Sequence, residues 1–232
     1  MTAISDWEQI KNGFDFSYLL QLLSGVIPSL ICITLHELSH GLVAYKLGDD
    51  TAKRAGRLTL NPLKHLDPIG LLMMLTVHFG YAKPVPVNMN KFKNPKRDMA
   101  ITALAGPASN VLITVVFLLL YGALYRPLGG SRGGAYVLDM LQLTAYISMG
   151  YAIFNMLPIP PLDGSKVVFS LMEDDSYRKL MRYERYGSIA LLLLVSTGIL
   201  GRPLSTAVHF LYAHLIPVAQ WSLKGVYSLF YQ

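Results

Sequence analysis

The 232-residue chain alternates long apolar runs with short polar segments, and this pattern predicts its main elements. Phe16 to Leu35 carries no charge and, as a helix, is long enough to cross a hydrocarbon layer of about 30 Å. Met99 to Tyr125 predicts a second span, and Tyr136 to Leu157 a third. Two further runs, Gly187 to Gly201 and Pro203 to Leu223, predict two more spans or a partly inserted hairpin.

The segment between the first and second spans has a different pattern. Arg57 to Leu60 alternates like a short strand, and Ile69 to Phe79 is apolar but too short to span. Lys83 to Val87 contains two prolines and is expected to be extended. We therefore predict an all-α polytopic membrane protein of about five transmembrane helices, with a re-entrant or interfacial, partly β segment between the first two.

One membrane-embedded domain is expected over residues 1–232. Its catalytic core is expected at about 16–172, and a C-terminal helical pair at about 186–223. Three prolines between Pro158 and Pro161 are expected to break the chain after the third span, so that Asp163 lies on non-helical backbone.

Composition agrees with a membrane location. Hydrophobic residues make up 53% of the chain and charged residues only 15%, with a mean hydropathy of +0.40. The net charge of +6 comes from Lys and Arg placed between the apolar runs rather than along one face. That distribution is typical of loops beside anionic lipid, so we expect the bilayer, and no nucleic acid, as a partner.

The basic residues also predict a topology. One Lys precedes the first span, ten Lys and Arg separate the first two spans, two separate the next pair, and five lie between 163 and 185. By the positive-inside rule, segments 46–97 and 163–185 face the cytoplasm and the N-terminus lies outside. We expect a multi-pass protein of the cell membrane, with any site at these ends on the cytoplasmic side.

Two histidines and a glutamate interrupt the end of the first apolar run. His36 and His40 are four residues apart and share one face of a helix, with Glu37 beside them. This is the H-E-x-x-H spacing that binds zinc and places a general base next to the metal. The alternative is a purely structural role, in which the two histidines find their polar partners inside a helical bundle and bind no metal.

A catalytic zinc takes three protein ligands and leaves one position open, so His36 and His40 need a partner. Glu173 and Glu184 lie in a charged, solvated stretch, whereas Asp163 lies beside a membrane span at the same membrane side as the histidines, on backbone freed by the prolines. We therefore prefer Asp163, with Gly164 allowing a close approach. His65 and Asp67 are weaker candidates, because a turn capped by Asp67 explains them as well.

The motif His36 to His40, together with Asn155 and Leu162-Asp163-Gly164, resembles the site-2 protease family of intramembrane zinc metalloproteases. The likeness covers roughly residues 30–170 and includes Gly106 to Asn110, which we interpret by itself as a helix-packing segment. The resemblance is to short prokaryotic members without PDZ or CBS domains. It implies one zinc held by His36, His40 and Asp163, Glu37 as the general base, and Asn155 near substrate or transition state.

The expected activity is that of a zinc metalloendopeptidase. Glu37 would activate a zinc-bound water that cleaves a peptide bond in or near the transmembrane segment of a membrane-protein substrate. We further hypothesise that the stretches at 57–60 and 83–88 pair with unwound substrate as an added strand. The alternative is a membrane metal-binding or transport protein that uses the His and Asp cluster without proteolysis. The sequence does not indicate an oligomeric state.

Overall fold

The computed structural model describes residues 16–68, 70, 83–173, 177, 186–187 and 190–230, and most of them are helical. The helices are α1 (Phe16–Lys46), α2 (Thr51–Arg54), α3 (Pro95–Leu128), α4 (Arg132–Asn155), α5 (Asp163–Ser170), α6 (Ala190–Ser196) and α7 (Gly201–Phe230). Short 3-10 turns lie at Pro62–Lys64 and Met89–Lys91.

Three of these helices, α1 from Ser24 onward, α3 and α4, are long and apolar enough to cross a membrane. Helices α6 and α7 make a fourth candidate if they count as one span, bent by 84° at the break between them. Gly198 lies in this break with a φ of 71°, a conformation that glycine adopts without strain. The described residues thus confirm a helical membrane protein, but they contain three or four candidate spans and do not confirm five.

Helix α1 continues beyond the uncharged run that ends at Leu35 and stops at Lys46. The Asp49 N–H donates to the Ala44 carbonyl and the Gly48 N–H to the Tyr45 carbonyl, with Gly48 at a φ of 108°. This pair of bonds is a Schellman motif, which satisfies the last carbonyls of a helix and requires a left-handed residue. Helix α1 therefore runs past His36 and His40 without interruption.

Helix α3 occupies the centre of the bundle and contacts α1, α4, α5 and α7. Small residues permit the close approaches: a Cβ on Gly122 would lie 2.1 Å from the Ala219 carbonyl oxygen of α7. Side-chain hydroxyls also link α3 to its neighbours, since Thr114 Oγ1 of α3 donates to the Ala145 carbonyl of α4 at 3.1 Å. Such contacts replace the hydrophobic driving force that is missing between helices in lipid.

The strand predicted at Arg57 to Leu60 does not form. The Arg57 N–H donates to the Ala52 carbonyl and the Thr59 N–H to the Arg57 carbonyl, so the backbone is satisfied locally as a bend. Leu66 shows an isolated β-bridge position, but no strand is found in the described residues of this segment. The apolar run predicted at Ile69 to Phe79 lies outside the described residues except for Gly70.

Residues 83–88 are extended, as their prolines predict, and pack on α1. A Cβ on Gly41 would lie 3.1 Å from Val85 Cγ1 and 2.6 Å from Leu58 Cδ2. The far end of the segment is held by Asp49, whose Oδ2 accepts from the Asn88 N–H at 2.6 Å. The segment is therefore fixed along the last turns of α1, beside the histidine motif.

Candidate metal centre

Helix α1 brings His36 and His40 together as their spacing predicts. The two rings meet edge to face with centroids 4.6 Å apart, and their Nε2 atoms are 3.0 Å apart. Both side chains are buried. Two imidazole nitrogens therefore converge on one point below the surface of the bundle.

Asp163 completes a cluster with the two histidines. Its Oδ2 lies 3.1 Å from each Nε2, and the residue is buried. Among the described residues this is the one group of three such side chains whose ligand atoms could share a metal ion. The structure thus joins the three residues predicted as ligands from two distant parts of the chain.

The backbone prediction for Asp163 was wrong in one respect. Asp163 is the first residue of α5 and not part of an irregular segment, because Leu162 turns the chain into a helix directly after the prolines. A carboxylate in a first helical turn is favoured by the helix dipole. Gly164 makes the predicted close approach, since a Cβ there would lie 2.2 Å from the Met156 carbonyl oxygen.

The spacing of the three ligand atoms fits a small tetrahedral ion. Ligands about 2.0–2.1 Å from a tetrahedral zinc lie roughly 3.3–3.4 Å from one another. The observed separations of 3.0–3.1 Å are a few tenths of an ångström shorter. Two imidazoles and a carboxylate are also a donor set typical of catalytic rather than structural zinc, which more often uses cysteines.

Gly106 of α3 leaves the room that an ion needs. A Cβ at this position would lie 2.4 Å from His40 Nε2 and 2.6 Å from His36 Nε2. The missing side chain thus opens a space directly against two of the ligand atoms. From its sequence context Gly106 is expected to be a packing residue, and this position against the ligand atoms was not predicted.

Helix α3 also contacts the outer nitrogen of each ring. His40 Nδ1 lies 2.7 Å from the Thr102 carbonyl oxygen, and His36 Nδ1 lies 3.2 Å from Asn110 Nδ2. Because a carbonyl only accepts, the proton of neutral His40 resides on Nδ1, and its Nε2 keeps a lone pair for a metal. Thr102, Gly106 and Asn110 are spaced four residues apart, which matches the spacing of His36 and His40.

Glu37 lies beside the cluster and is only partly buried. Its Oε2 accepts a hydrogen bond from the Val85 N–H at 2.8 Å. Pro84 and Pro86 have no N–H, so the segment presents Val85 as a single donor between two prolines. The hydrogen bond from Val85 to Glu37 was not predicted from the sequence, although the Pro-Val-Pro pattern indicates that Val85 supplies the one N–H donor at this point.

The other sequence candidates make their hydrogen bonds outside the cluster. Asn155 Nδ2 donates to the Tyr151 carbonyl of its own helix, and within the described chain Asn155 makes no hydrogen bond to the ligand atoms. His65 is buried but bonds through Nε2 to the Thr59 carbonyl. Asp67 accepts from the Gly70 N–H, which is the capping role preferred from the sequence.

The segment at 83–88 is poorly suited to the strand pairing hypothesised from the sequence. The N–H groups of Lys83, Val85 and Asn88 donate to the His65 carbonyl, Glu37 and Asp49 respectively. Pro84 and Pro86 have no donor. An added strand would thus meet one remaining donor in 83–88, that of Val87, and would depend mainly on carbonyl acceptors there; pairing with unwound substrate stays a prediction.

Comparison with known proteins gives consistent matches. The model of "Peptidase family M50" matches residues 133–197. "Putative zinc metalloprotease YwhC" of Bacillus subtilis is 40% identical over 176 residues, which cover 74% of this chain and 80% of YwhC. "Putative zinc metalloprotease Rip2" of Mycolicibacterium smegmatis is 32% identical over 178 residues, covering 75% of this chain and 66% of Rip2. No solved structure matches the chain.

The extent of the likeness to YwhC shows that the chain belongs to Peptidase family M50. This confirms the resemblance to the site-2 protease family of zinc metalloproteases. The candidate membrane helices agree with membership of a membrane-embedded family. Family and structure together define a membrane metalloprotease class, within which the roles of individual residues follow as proposals.

Proposed function

We propose that this protein is an intramembrane zinc metalloprotease that hydrolyses a peptide bond in or near the transmembrane segment of another membrane protein. The observation that carries the proposal is the convergence of His36 Nε2, His40 Nε2 and Asp163 Oδ2 within 3.1 Å of one another, beside Glu37 and among apolar helices. Its family relatives carry the printed name of zinc metalloprotease, which supports the reaction class.

His36, His40 and Asp163 would hold one zinc ion per chain. When bound there, zinc supplies a Lewis acid that polarises the scissile carbonyl and lowers the pKa of water. Gly106 carries no side chain that would occupy the space next to the two histidine nitrogens. The cluster stands alone in the described residues, which favours a catalytic site over a transport path lined by successive groups.

Glu37 is the proposed general base. Its Oε2 is held by the Val85 N–H, so Oε1 is the oxygen that accepts the proton of the attacking water. The same carboxylate then returns the proton to the leaving amine. Asn155, at the end of α4 and eight residues before Asp163, is proposed to contact the substrate or transition state, as the family resemblance implies.

The substrate helix must unwind before cleavage, because helical carbonyls are engaged in hydrogen bonds. The proposed site faces the cytoplasmic side of the cell membrane, with the N-terminus outside. The excess of Lys and Arg in segments 46–97 and 163–185 supports this orientation. Helices α1 and α5 carry their ligands next to these two segments.

The test compares purified wild type with Glu37→Gln. Both proteins are analysed for bound metal, and both are incubated with a model single-span membrane substrate. We expect one zinc per chain in each and cleavage only by wild type, since the amide cannot accept the proton. Glu173→Gln, which alters an exposed carboxylate, is the matched control and should bind and cleave as wild type does. Undiminished cleavage by Glu37→Gln would refute the proposed mechanism.

A further inference from the structure

Asn110 stands out among the buried polar residues of α3. It is fully buried, in the middle of a helix long and apolar enough to cross the membrane. Its backbone carbonyl accepts from two hydroxyls, Thr114 Oγ1 at 3.0 Å and Ser148 Oγ at 2.8 Å. The main chain of Asn110 is therefore fixed, which leaves the orientation of its side-chain amide as the feature to explain.

The two ends of that amide have different surroundings. Nδ2 lies 3.2 Å from His36 Nδ1, whereas Oδ1 is buried and has no hydrogen-bond partner among the described residues. A buried acceptor without a partner is uncommon and requires an explanation. Rotating the amide by 180° exchanges the oxygen and the nitrogen without changing the shape of the side chain.

The amide orientation decides which nitrogen of His36 carries the proton. With Nδ2 facing the ring, Nδ1 must accept, so the proton of neutral His36 lies on Nε2 and points at Asp163 Oδ2, 3.1 Å away. In that tautomer Nε2 has no lone pair for a metal. With Oδ1 facing the ring, Nδ1–H donates to Asn110 and the Nε2 lone pair is free.

We propose that Asn110 is a positioning residue for zinc binding: its Oδ1 accepts the Nδ1 proton of His36 and so holds the Nε2 lone pair towards the metal. His40 needs no such residue, because the Thr102 carbonyl fixes its tautomer. This inference rests on the proposed zinc site and assigns a function to the small-residue segment of α3.

Two substitutions separate the acceptor from the donor role of Asn110. Asn110→Asp keeps the shape and can only accept, whereas Asn110→Leu keeps the volume and can do neither. Thr114→Val is the matched control, because it removes a hydrogen bond to the backbone of Asn110 and leaves the amide in place. The zinc dissociation constant of each purified variant is measured by competition with a chromophoric chelator, and folding is checked by thermal unfolding.

We expect Asn110→Leu to weaken zinc binding by about 10- to 100-fold, as is usual for loss of a partner behind a ligating histidine. Asn110→Asp should bind within about threefold of wild type or more tightly, and Thr114→Val should match wild type. Equal affinities in wild type and Asn110→Leu, or an Asn110→Asp variant that folds but binds as weakly as Asn110→Leu, would overturn the inference.

A measurement without substitutions covers the case in which the Asp variant does not fold. Wild type labelled with ¹⁵N in its imidazole rings is loaded with ¹¹³Cd²⁺, and coupling to the metal identifies the ligating nitrogens. We expect coupling to Nε2 of two histidines and a His36 Nδ1 proton shifted downfield by a hydrogen bond to Asn110, whereas a His36 Nδ1 proton that lacks an acceptor, or coupling of the metal to an Nδ1 atom, would overturn the inference. If wild type binds no metal, both the inference and the proposed function are overturned. If wild type binds zinc and cleaves, but Asn110→Leu binds zinc equally well, only the inference is overturned.

Discussion

Replacing Gly106 by alanine places one methyl group in the space beside the proposed ligands. A Cβ at this position would lie 2.4 Å from His40 Nε2 and 2.6 Å from His36 Nε2, whereas ordinary contacts between such atoms are about 3.5 Å. The rings or the helix must therefore separate by about 1 Å. Metal sites tolerate shifts in ligand distance of only about 0.2 Å, so we expect the site to lose its geometry.

The expected loss of zinc affinity is at least about 100-fold, which corresponds to about 2.7 kcal/mol. This expected effect is unfavourable, whereas replacing glycine by alanine within a helix normally stabilises the helix. Alanine stabilises the interior of an exposed helix by about 1 kcal/mol relative to glycine, because it loses less backbone entropy on folding. A loss of zinc binding in Gly106→Ala would therefore come from the clash and not from helix propensity.

Gly150→Ala is the matched control, since Gly150 also lies within a helix, α4, and a Cβ there meets nothing within 4 Å. Zinc dissociation constants of both variants and wild type are compared by chelator competition, with thermal unfolding of the metal-free proteins alongside. Gly150→Ala should bind as wild type does. Wild-type zinc affinity in Gly106→Ala would refute the placement of the ion beside this residue.

Three further substitutions test the surroundings of the site. Val85→Pro removes the N–H that holds Glu37 and should lower the cleavage rate by at least about tenfold with zinc content unchanged. Val85→Ala keeps the donor and should cleave at the wild-type rate. Equal cleavage rates in the two variants would contradict the positioning of Glu37. Gly164→Ala should displace Asp163 by its clash with the Met156 carbonyl and weaken zinc binding, and an unchanged dissociation constant would contradict this packing. Burial raises the pKa of Asp49, but hydrogen bonds from the Thr51 hydroxyl and the Asn88 and Thr51 N–H groups outweigh it and hold the pKa below its usual 3.8. The contribution of the Asp49 carboxylate to stability is therefore complete above about pH 4 and is lost as the pH falls through the lowered pKa. Asp49→Asn should lower the free energy of unfolding by about 2 kcal/mol at pH 6 and by progressively less in acid. Thermal unfolding of wild type and variant across this pH range measures the difference, and equal stability at pH 6 would contradict the prediction.

Much of the site could be predicted from the sequence because its components follow simple periodic rules. His36 and His40 share a helical face through their spacing, and Gly48 ends that helix where a left-handed residue is needed. Asp163 could be preferred to Glu173 and Glu184 because it lies directly after a membrane span, whereas the glutamates lie in a solvated stretch, and the structure brings Asp163 to the histidines.

The contribution of α3 could not be predicted, because small and amide residues in an apolar span are also what helix packing requires. Gly106 acts through the absence of a side chain, and Thr102 through its backbone carbonyl, so neither residue type points to a metal site. The alternation at Arg57 to Leu60 was misleading for a related reason. Its backbone groups bond locally, which a pattern of side chains does not reveal.

The most direct test of the account is the zinc content of purified wild type and Asp163→Asn, measured under identical conditions after removal of loosely bound metal. The account predicts one zinc per chain in wild type and a large loss in the variant, because the amide replaces the charged ligand that joins α5 to the two histidines of α1. Asp163→Asn that retains a full equivalent of zinc, or wild type that holds none, would contradict it.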